Sequence, residues 1–497
     1  MSFGAPVLLG KRTFNILDYG ARGGGQAGIA PAANTVNDVA INAAATAAKN
    51  AGGGFVVIPN DRFYTSSTFT LRLYPRVHLI GDGYGPFDLM QRGDGVVTDP
   101  ILSTQGPTLI LTNTTGQALF FGEKAIIAYD GNQVISDIIF ACVQPAAIKN
   151  GPTYVPTQYP WVIAGDNNIT FGASVPSIWL GGCEIVRCMI YGAWKGIQFW
   201  GGRSRCIDTT IEAFYRGLIV DGTADVTYLR GVRFWPLMAD VVAESNFMSM
   251  NSAQYQQANL IAVQLRRADE VQCQQLFVQT AAVAVDFADT GSNPGPWGTF
   301  IDTYLETCVI AIQASRINGN GVQFFGGSII PAYTSDTTPN NTWLRVYAIA
   351  GSQIYLYING MTVGSGPNGN GNTFIPIIDD AVNGFVRIVN VMGYNVNGVA
   401  SGPAGRTSQS HTLGGGTIAN GYPLVAPPGN GVKYYITAST TGTATVQRAP
   451  IFGTLVKTII ATLPPNTTCS VHLQHGETVN VFSSDPNNPP TYVAVGD

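Results

Sequence analysis

The sequence predicts an all-β chain: a right-handed parallel β-helix with an N-terminal capping helix and a C-terminal antiparallel β-sandwich. Three observations predict it. One Ala-rich helical stretch sits near the start and is followed by strand runs with almost no further helix. A repeat of about 21 residues appears in the body, the period of a coil of short stacked strands. The last 95 or so residues break into short strands separated by turn residues.

The opening is read element by element. Phe14, Ile16, Leu17 and Tyr19 form a short apolar strand ended by Gly20. Asn34 is placed to cap the next helix by accepting from free backbone N–H groups. Val36, Val39, Ala40, Ala43 and Ala47 fall on one helical stripe. Gly52, Gly53 and Gly54 supply the positive φ that ends a helix, and Phe55–Ile58 is a buried-strand run stopped by Pro59. A single amphipathic helix beside a strand-only body suits a cap, which covers an end that would otherwise expose its core and pair with another edge.

Composition narrows the classes. Charged residues are 11% of the 497, against roughly 25% in ordinary soluble chains. The 59 glycines are about 12%, against a usual ~7%. Few charges with many Gly, Asn, Thr and Ser fit tight turns and uncharged polar faces, and argue against a helical enzyme. No run of 18 apolar residues exists, so no membrane insertion is expected. The net charge of −4 without a basic stripe makes nucleic acid an unsuitable partner. The seven cysteines, Cys142, Cys183, Cys188, Cys206, Cys273, Cys308 and Cys469, sit mostly in apolar runs and read as small buried thiols made in a reducing cytoplasm.

In the body, Ile190–Ile197 aligns with Ile211–Leu218, with Gly196 on Gly217, and a third copy starts at Val232. Further strand runs cover 275–287, 300–314, 321–330, 353–363 and 385–394. Ser401–Ser410 reads as a linker. The strands after it are 432–437, 444–447, 456–463, 469–473 and 477–482. The division expected is therefore 1–54 (strand, loop and capping helix), 55–400 (β-helix, substrate cleavage) and 401–497 (β-sandwich for trimerisation or glycan binding).

The opening resembles the pectate-lyase-like β-helix superfamily, especially phage tailspike depolymerases. The matching residues are Gly20-Ala21-Arg22-Gly23, Asn37-Asp38-Val39-Ala40-Ile41, Gly52-Gly53-Gly54 to Pro59, Tyr64, and Leu79-Ile80-Gly81-Asp82-Gly83. The chain departs from that pattern in lacking a second Asp before the helix and in a longer Ala/Pro-filled loop at Gln26–Ala33. The resemblance implies a homotrimeric spike on a virion tail, attached at the tail or baseplate. It would be made in the host cytoplasm and act at the bacterial surface, where it binds and cuts bacterial surface polysaccharide, capsule or O-antigen. No metal and no other cofactor is implied.

Hydrolysis of such a glycan needs two carboxylates, one to protonate the leaving oxygen and one to attack or activate water. Two segments look alike, Asp208-Thr-Thr-Ile-Glu212 and Asp302-Thr-Tyr-Leu-Glu306. Residues four apart on a strand share a face, so each segment is expected to present both acids outward, about 13 Å apart. The repeat is expected to stack Tyr191, Glu212 and Arg233 in one column and Arg187 beside Asp208, so cross-rung ion pairs on a solvated face are the plain alternative to catalysis. Asp225, Asp240, Glu244, Asp269 and Glu270 are further acids of the region.

Trp194 and Tyr215 align in the repeat and suit an aromatic ladder for sugar faces, with a core or trimer-interface role as the alternative. Trp179, Trp200 and Trp235 are further aromatics, and Arg203, with Arg205, is placed to contact an acidic sugar. A lyase would instead use Arg233, Lys195 or Arg216 to neutralise a uronate carboxylate, and a non-enzymatic adhesin or a secreted bacterial enzyme are other readings. Cys469, His472 and His475 have ligand-like spacing but no evident fourth ligand.

Overall fold

The computed structural model describes residues 12–23, 35–60, 63–66, 71–83, 108–111, 118–120, 123–129, 131–165, 182–223, 225–239, 249–289, 295–331, 342–346, 353–363, 377–378, 383–389, 392–393, 407–410, 415–417, 423–425, 432–438, 441, 443–450, 458–473, 477–485 and 490–496. Asn34, the Gln26–Ala33 loop, Trp179, Asp240, Glu244 and His475 lie outside the described residues, as does the side chain of Val36. The chain divides into two compact units, Met1–Asp286 and Phe287–Asp497. The described elements are mostly parallel strands with few helices.

In the first unit, Thr13–Asn15 is a strand but Ile16–Tyr19 is one 3-10 turn, not the apolar strand the sequence suggests. Asn15 explains it: its side-chain oxygen accepts the Leu17 N–H and starts the turn. Ile16 is buried while Leu17 faces solvent, and Gly20 closes the turn at φ +92°. The helix Thr35–Asn50 follows. Its buried face is Ala40, Ile41, Ala44, Ala45 and Ala48, and Val39 is exposed. The expected stripe was therefore rotated by about one residue, because six alanines in this segment leave the periodicity weakly marked. Gly52 and Gly53 end the helix, their N–H groups donating to Lys49 and Ala48, the double bond of a Schellman end.

Beyond the helix the strands stack in three parallel ladders. One runs through Val77–Gly81, Gln133–Ser136, Cys183–Val186, Arg205–Ile207, Thr227–Arg230 and Val271–Gln274. A second runs through Thr108–Leu111, Ile139–Cys142, the first halves of Met189–Phe199 and Thr210–Val220, then Arg233–Phe234 and Phe277–Gln279. The third joins Glu123–Tyr129, Trp161–Gly165, the second halves of the same two long strands, Ile261–Leu265 and Val283–Phe287. The chain visits one ladder after another and returns a rung further on, which is the path of a parallel β-helix. The expected register holds where it was clearest, Ile190 opposite Ile211 and Ile197 opposite Leu218.

The corner between the first two ladders explains one of the candidate acids, Asp208. Asp137, Arg187, Asp208, Gly231 and Gln275 occupy it on successive rungs, all at positive φ between 47° and 63°. After each comes a buried residue, Ile138, Cys188, Thr209, Val232 or Leu276. The left-handed residue turns the chain, and Asp and Gly tolerate that conformation better than most.

In the second unit Gly298–Cys308, Val322–Pro331, Gln353–Asn359, Asn383–Val389 and Thr407–Ser410 pair in parallel. Phe300 and Phe324 stack at 4.6 Å in its core. Asp302, Gly326 and Gly360 repeat the left-handed corner, at φ +53°, +70° and +71°. Farther on, pairing becomes antiparallel. Val432–Thr437 lies between Thr468–Leu473 and Thr491–Gly496, and Ala444–Pro450 between Thr458–Leu463 and Glu477–Ser483. Ile436, Val446, Val471, Val479 and Val481 form one buried cluster there. Six of the cysteines are buried and Cys469 is half-buried, all as free thiols.

Candidate functional site

The site grows from the two long strands Met189–Phe199 and Thr210–Val220. Ile190 and Ile211 are fully buried, so by strand alternation Met189, Tyr191 and Glu212 point to the opposite side. There a second apolar layer covers them, made of Ile139, Tyr154, Met189, Tyr191, Phe214, Leu237 and Met238, with Trp194, Trp235 and Tyr255 packed against it. Two excursions of the chain build this layer. Residues 143–160 are held by Gln144, whose side chain donates to Gly192 O at 2.6 Å and Thr157 O at 3.0 Å and accepts the Thr157 N–H at 2.7 Å. The helix Asn251–Asn259 is held by Gln256, which donates to Ala213 O at 3.0 Å, and by Asn251, which bridges Ile148 N and Pro152 O.

Glu212 lies beneath that layer, 1% exposed. One carboxyl oxygen accepts the Met238 N–H at 2.8 Å and the other the Gly192 N–H at 3.2 Å. Burial pushes its pKa up to about 8 against the pull of those two N–H groups. The nearby Tyr154 hydroxyl is raised as well, first by burial and then by Glu212, and it donates to Pro145 O at 2.8 Å.

At the edge of the layer Trp194 and Tyr215 stack face to face, with centroids 4.9 Å apart and planes 11° from parallel. Both are half-buried. The Arg216 guanidinium lies 3.9 Å from the Tyr215 ring centre and Lys195 Nζ 5.5 Å from that of Trp161. Tyr255 stands 6.4 Å from Trp194. The result is a two-ring stack at the edge of the layer with the Arg216 guanidinium against its Tyr215 end.

The remaining candidates separate. Arg233 pairs in register with Thr210, 23 residues back, so the Tyr191–Glu212–Arg233 column does not form. The chain from Val220 to the next strand at Thr227 is longer than that from Phe199 to Arg205, and this shifts the rung. Trp235 stacks on Phe277 at 5.3 Å instead. Arg187 stacks beside Asp208 in the ladder, as its N–H to Ile207 O shows, but its side chain pairs with Asp137 on the previous rung, at 2.6 and 2.7 Å.

Asp208 and Glu212 do not share an outer strand face, because Asp208 turns the corner at φ +47°. Asp208 is exposed and Glu212 is not. Arg203 makes a 2.6 Å bond to Asp225, both at the surface, and this bond holds the Asp225 carboxyl below its usual range. The Trp200 N–H donates to the Tyr129 hydroxyl at 2.9 Å, and its ring fills the space where a side chain at Gly222 would stand.

In the second unit Asp302 is an exposed corner residue, and Glu306, four residues on, is half-buried with its pKa raised by that burial. Sequence reading missed Tyr154, Met238, Tyr255 and Gln256. The signal available was the Pro/Tyr-rich stretch 152–160, which reads as a loop but supplies part of the cover.

No family model matches the chain, and no curated protein matches it. Solved structures similar to it are phage tailspikes. One is a mutant tailspike protein of E. coli bacteriophage HK620 in complex with a pentasaccharide. It is 12% identical over 93% of this chain and 89% of that one, with a TM-score of 0.36. Another is the gp42 tailspike of Acinetobacter phage vb_AbaP_AS12, 11% identical over 93% and 82%, with a TM-score of 0.36. A third is tailspike protein 3 of bacteriophage CBA120, 8% identical over 78% and 59%, with a TM-score of 0.38.

Proposed function

We propose that this protein is a bacteriophage tailspike that binds a bacterial surface polysaccharide, capsule or O-antigen, and shortens it by endo-glycosidic hydrolysis with a carboxylate pair. The observation that carries the reading is the stacked, half-buried Trp194–Tyr215 pair. Sugar rings present apolar C–H faces that pack on exposed aromatic groups while flanking polar groups take the hydroxyls. The resemblance of residues 14–85 to tailspike depolymerases and the stacked parallel ladders support it. In this reading the spike is a homotrimer on the virion tail, made in the host cytoplasm. The β-helix is right-handed and capped by Thr35–Asn50, and residues 401–497 form a β-sandwich that trimerises or binds glycan.

Of the acids the sequence suggests, Glu306 combines a raised pKa with partial exposure, and with Asp302 it is one candidate pair. Glu212 is shielded by the outer layer and Asp208 turns a corner. A second reading has a specific observation behind it. The Arg216 guanidinium lies against the Tyr215 ring, a cation of the kind an eliminating lyase needs to neutralise a uronate. The test is incubation with purified capsular and O-antigen polysaccharides from a strain panel, following size, reducing ends and the ultraviolet absorbance of an unsaturated uronate. Hydrolysis predicts shorter chains with new reducing ends and no absorbance. Absorbance would make it a lyase, and binding without shortening an adhesin.

A further inference from the structure

Gly follows Asn at five places where both residues are described: Asn150, Asn318, Asn320, Asn359 and Asn383. Such a pair has its own chemistry. The backbone nitrogen after an Asn can attack the side-chain carboxamide and close a five-membered ring. Gly leaves that nitrogen uncrowded and its torsions free. The fold then decides which pairs can reach the ring.

Four of the five are restrained. Gly151 donates its N–H to Ile148 O at 3.3 Å, and a Cβ there would meet the Ile148 side chain at 2.7 Å. Gly321 donates to Asn318 O at 2.8 Å. Gly384 lies inside a parallel ladder, opposite Ile354. Asn359 ends the strand Gln353–Asn359 opposite Val389, and Gly360 is fixed in a left-handed corner at φ +71°.

Asn318–Gly319 differs. It opens the turn 318–321, which leads into the strand Val322–Pro331. Gly319 is exposed, and its N–H donates no hydrogen bond among the described residues. A Cβ at Gly319 would meet nothing within 4 Å. The Asn318 side-chain oxygen accepts the Asn320 N–H at 3.1 Å. This Asx turn folds the carboxamide back along the peptide that must attack it. The same N–H is a donor aimed at the oxygen on which charge develops during attack.

We infer that Asn318 is a site of spontaneous modification, converting to aspartate and isoaspartate through a cyclic imide formed with Gly319. Solvent base takes the Gly319 N–H proton. The nitrogen bonds to Asn318 Cγ, and the electron pair moves to Oδ1. The pair returns as the Cγ–Nδ2 bond breaks, and the leaving nitrogen takes a proton from water and departs as ammonia. Water then opens the ring at either carbonyl. One opening gives aspartate, and the other gives isoaspartate, in which the main chain runs through the former side-chain carbon. The net change is an amide and water to a carboxylate and ammonium.

Both products place a new negative charge on the turn. Isoaspartate also lengthens it by one backbone atom, and the carbonyl that accepts the Gly321 N–H becomes a free carboxylate. Asn318 N donates to Pro296 O and Gly298 N to Gly321 O, so the lengthened turn disturbs the neighbouring loop as well.

The experiment ages the purified full chain at neutral and at mildly alkaline pH and digests it with trypsin. Cleavage after Arg316 and Arg345 releases Ile317–Arg345, in which fragmentation locates a gain of about one mass unit, and methyl transfer by an isoaspartyl methyltransferase reports isoaspartate. Asn318 is expected to react at least about fivefold faster than Asn150, Asn320, Asn359 and Asn383, and faster at the higher pH. In urea the five rates are expected to converge within about twofold. Gly319→Ala is expected to slow the reaction at least about tenfold with the unfolding transition unchanged, since its Cβ has open space in the fold but crowds the ring closure. An unmodified Asn318, a rate at Asn318 no higher than at the other four, or the same ranking in urea overturns the assignment. So does an unchanged rate in Gly319→Ala.

Discussion

Asp208-Thr-Thr-Ile-Glu212 and Asp302-Thr-Tyr-Leu-Glu306 share a pattern and a local structure, but their acids meet different surroundings. In both, the Asp turns a left-handed corner and the following Thr is buried. Glu212 then disappears beneath Phe214, Tyr154 and Met238, whereas Glu306 stays half-exposed. The corner is dictated locally, by residues that accept positive φ. The state of the acid is dictated by chain that arrives from elsewhere, Met238 from 26 residues downstream and Tyr154 from far upstream. Similar segments therefore give one acid with a pKa near 8 and one raised less far.

The largest break in this comparison is expected from removing the cover. Phe214→Ala should cost about 3–5 kcal/mol, as for other buried aromatics, read in denaturant unfolding. Phe214 is fully buried in the outer layer, and an unchanged midpoint would mean the layer contributes little. Next comes Glu212→Leu, which strands the Gly192 and Met238 N–H groups. Each unsatisfied donor costs about 1–3 kcal/mol, and faster hydrogen exchange at Met238 should report it.

A third effect is pH dependence. The folded-state pKa of Glu212 is above its ordinary 4.5, so between those values the folded chain holds a proton that the unfolded chain has released. Its contribution is fully present below about pH 4.5 and is lost as pH rises through about 8. The slope is on the order of 1 kcal/mol per pH unit within that window. Glu212→Gln should flatten it, while Glu306→Gln should change the pH dependence much less. The smallest effect is at the corner: Asp208→Gly should shift stability by less than about 1 kcal/mol, since Gly231 already fills the next rung's equivalent position.

Much of the fold was legible because its signals are local. Gly52–Gly54 stop the helix by their own φ, and Ile190 and Ile211 mark the register because each must be buried. The tail strands from Val432 to Ser483 follow the alternation of valines that fill one cluster. What was not legible depends on distant chain. The repeat lost register at Arg233, where a longer turn intervenes. Arg187 chose Asp137 over Asp208, two acids that lie in equivalent corners on either side of it. For the candidate site, the Trp194–Tyr215 pairing followed from the repeat, but the burial of Glu212 required knowing what the 143–160 and 251–259 segments cover.

The measurement that tests the central claim most directly is glycan affinity, by calorimetry, for wild type, Trp194→Ala and Tyr215→Ala with the polysaccharide selected from the panel. Loss of stacking at about 1–3 kcal/mol per ring, by analogy with other ring-on-aromatic contacts, predicts binding at least tenfold weaker with the unfolding transition retained. Wild-type affinity in both variants would contradict a glycan seated on that aromatic pair.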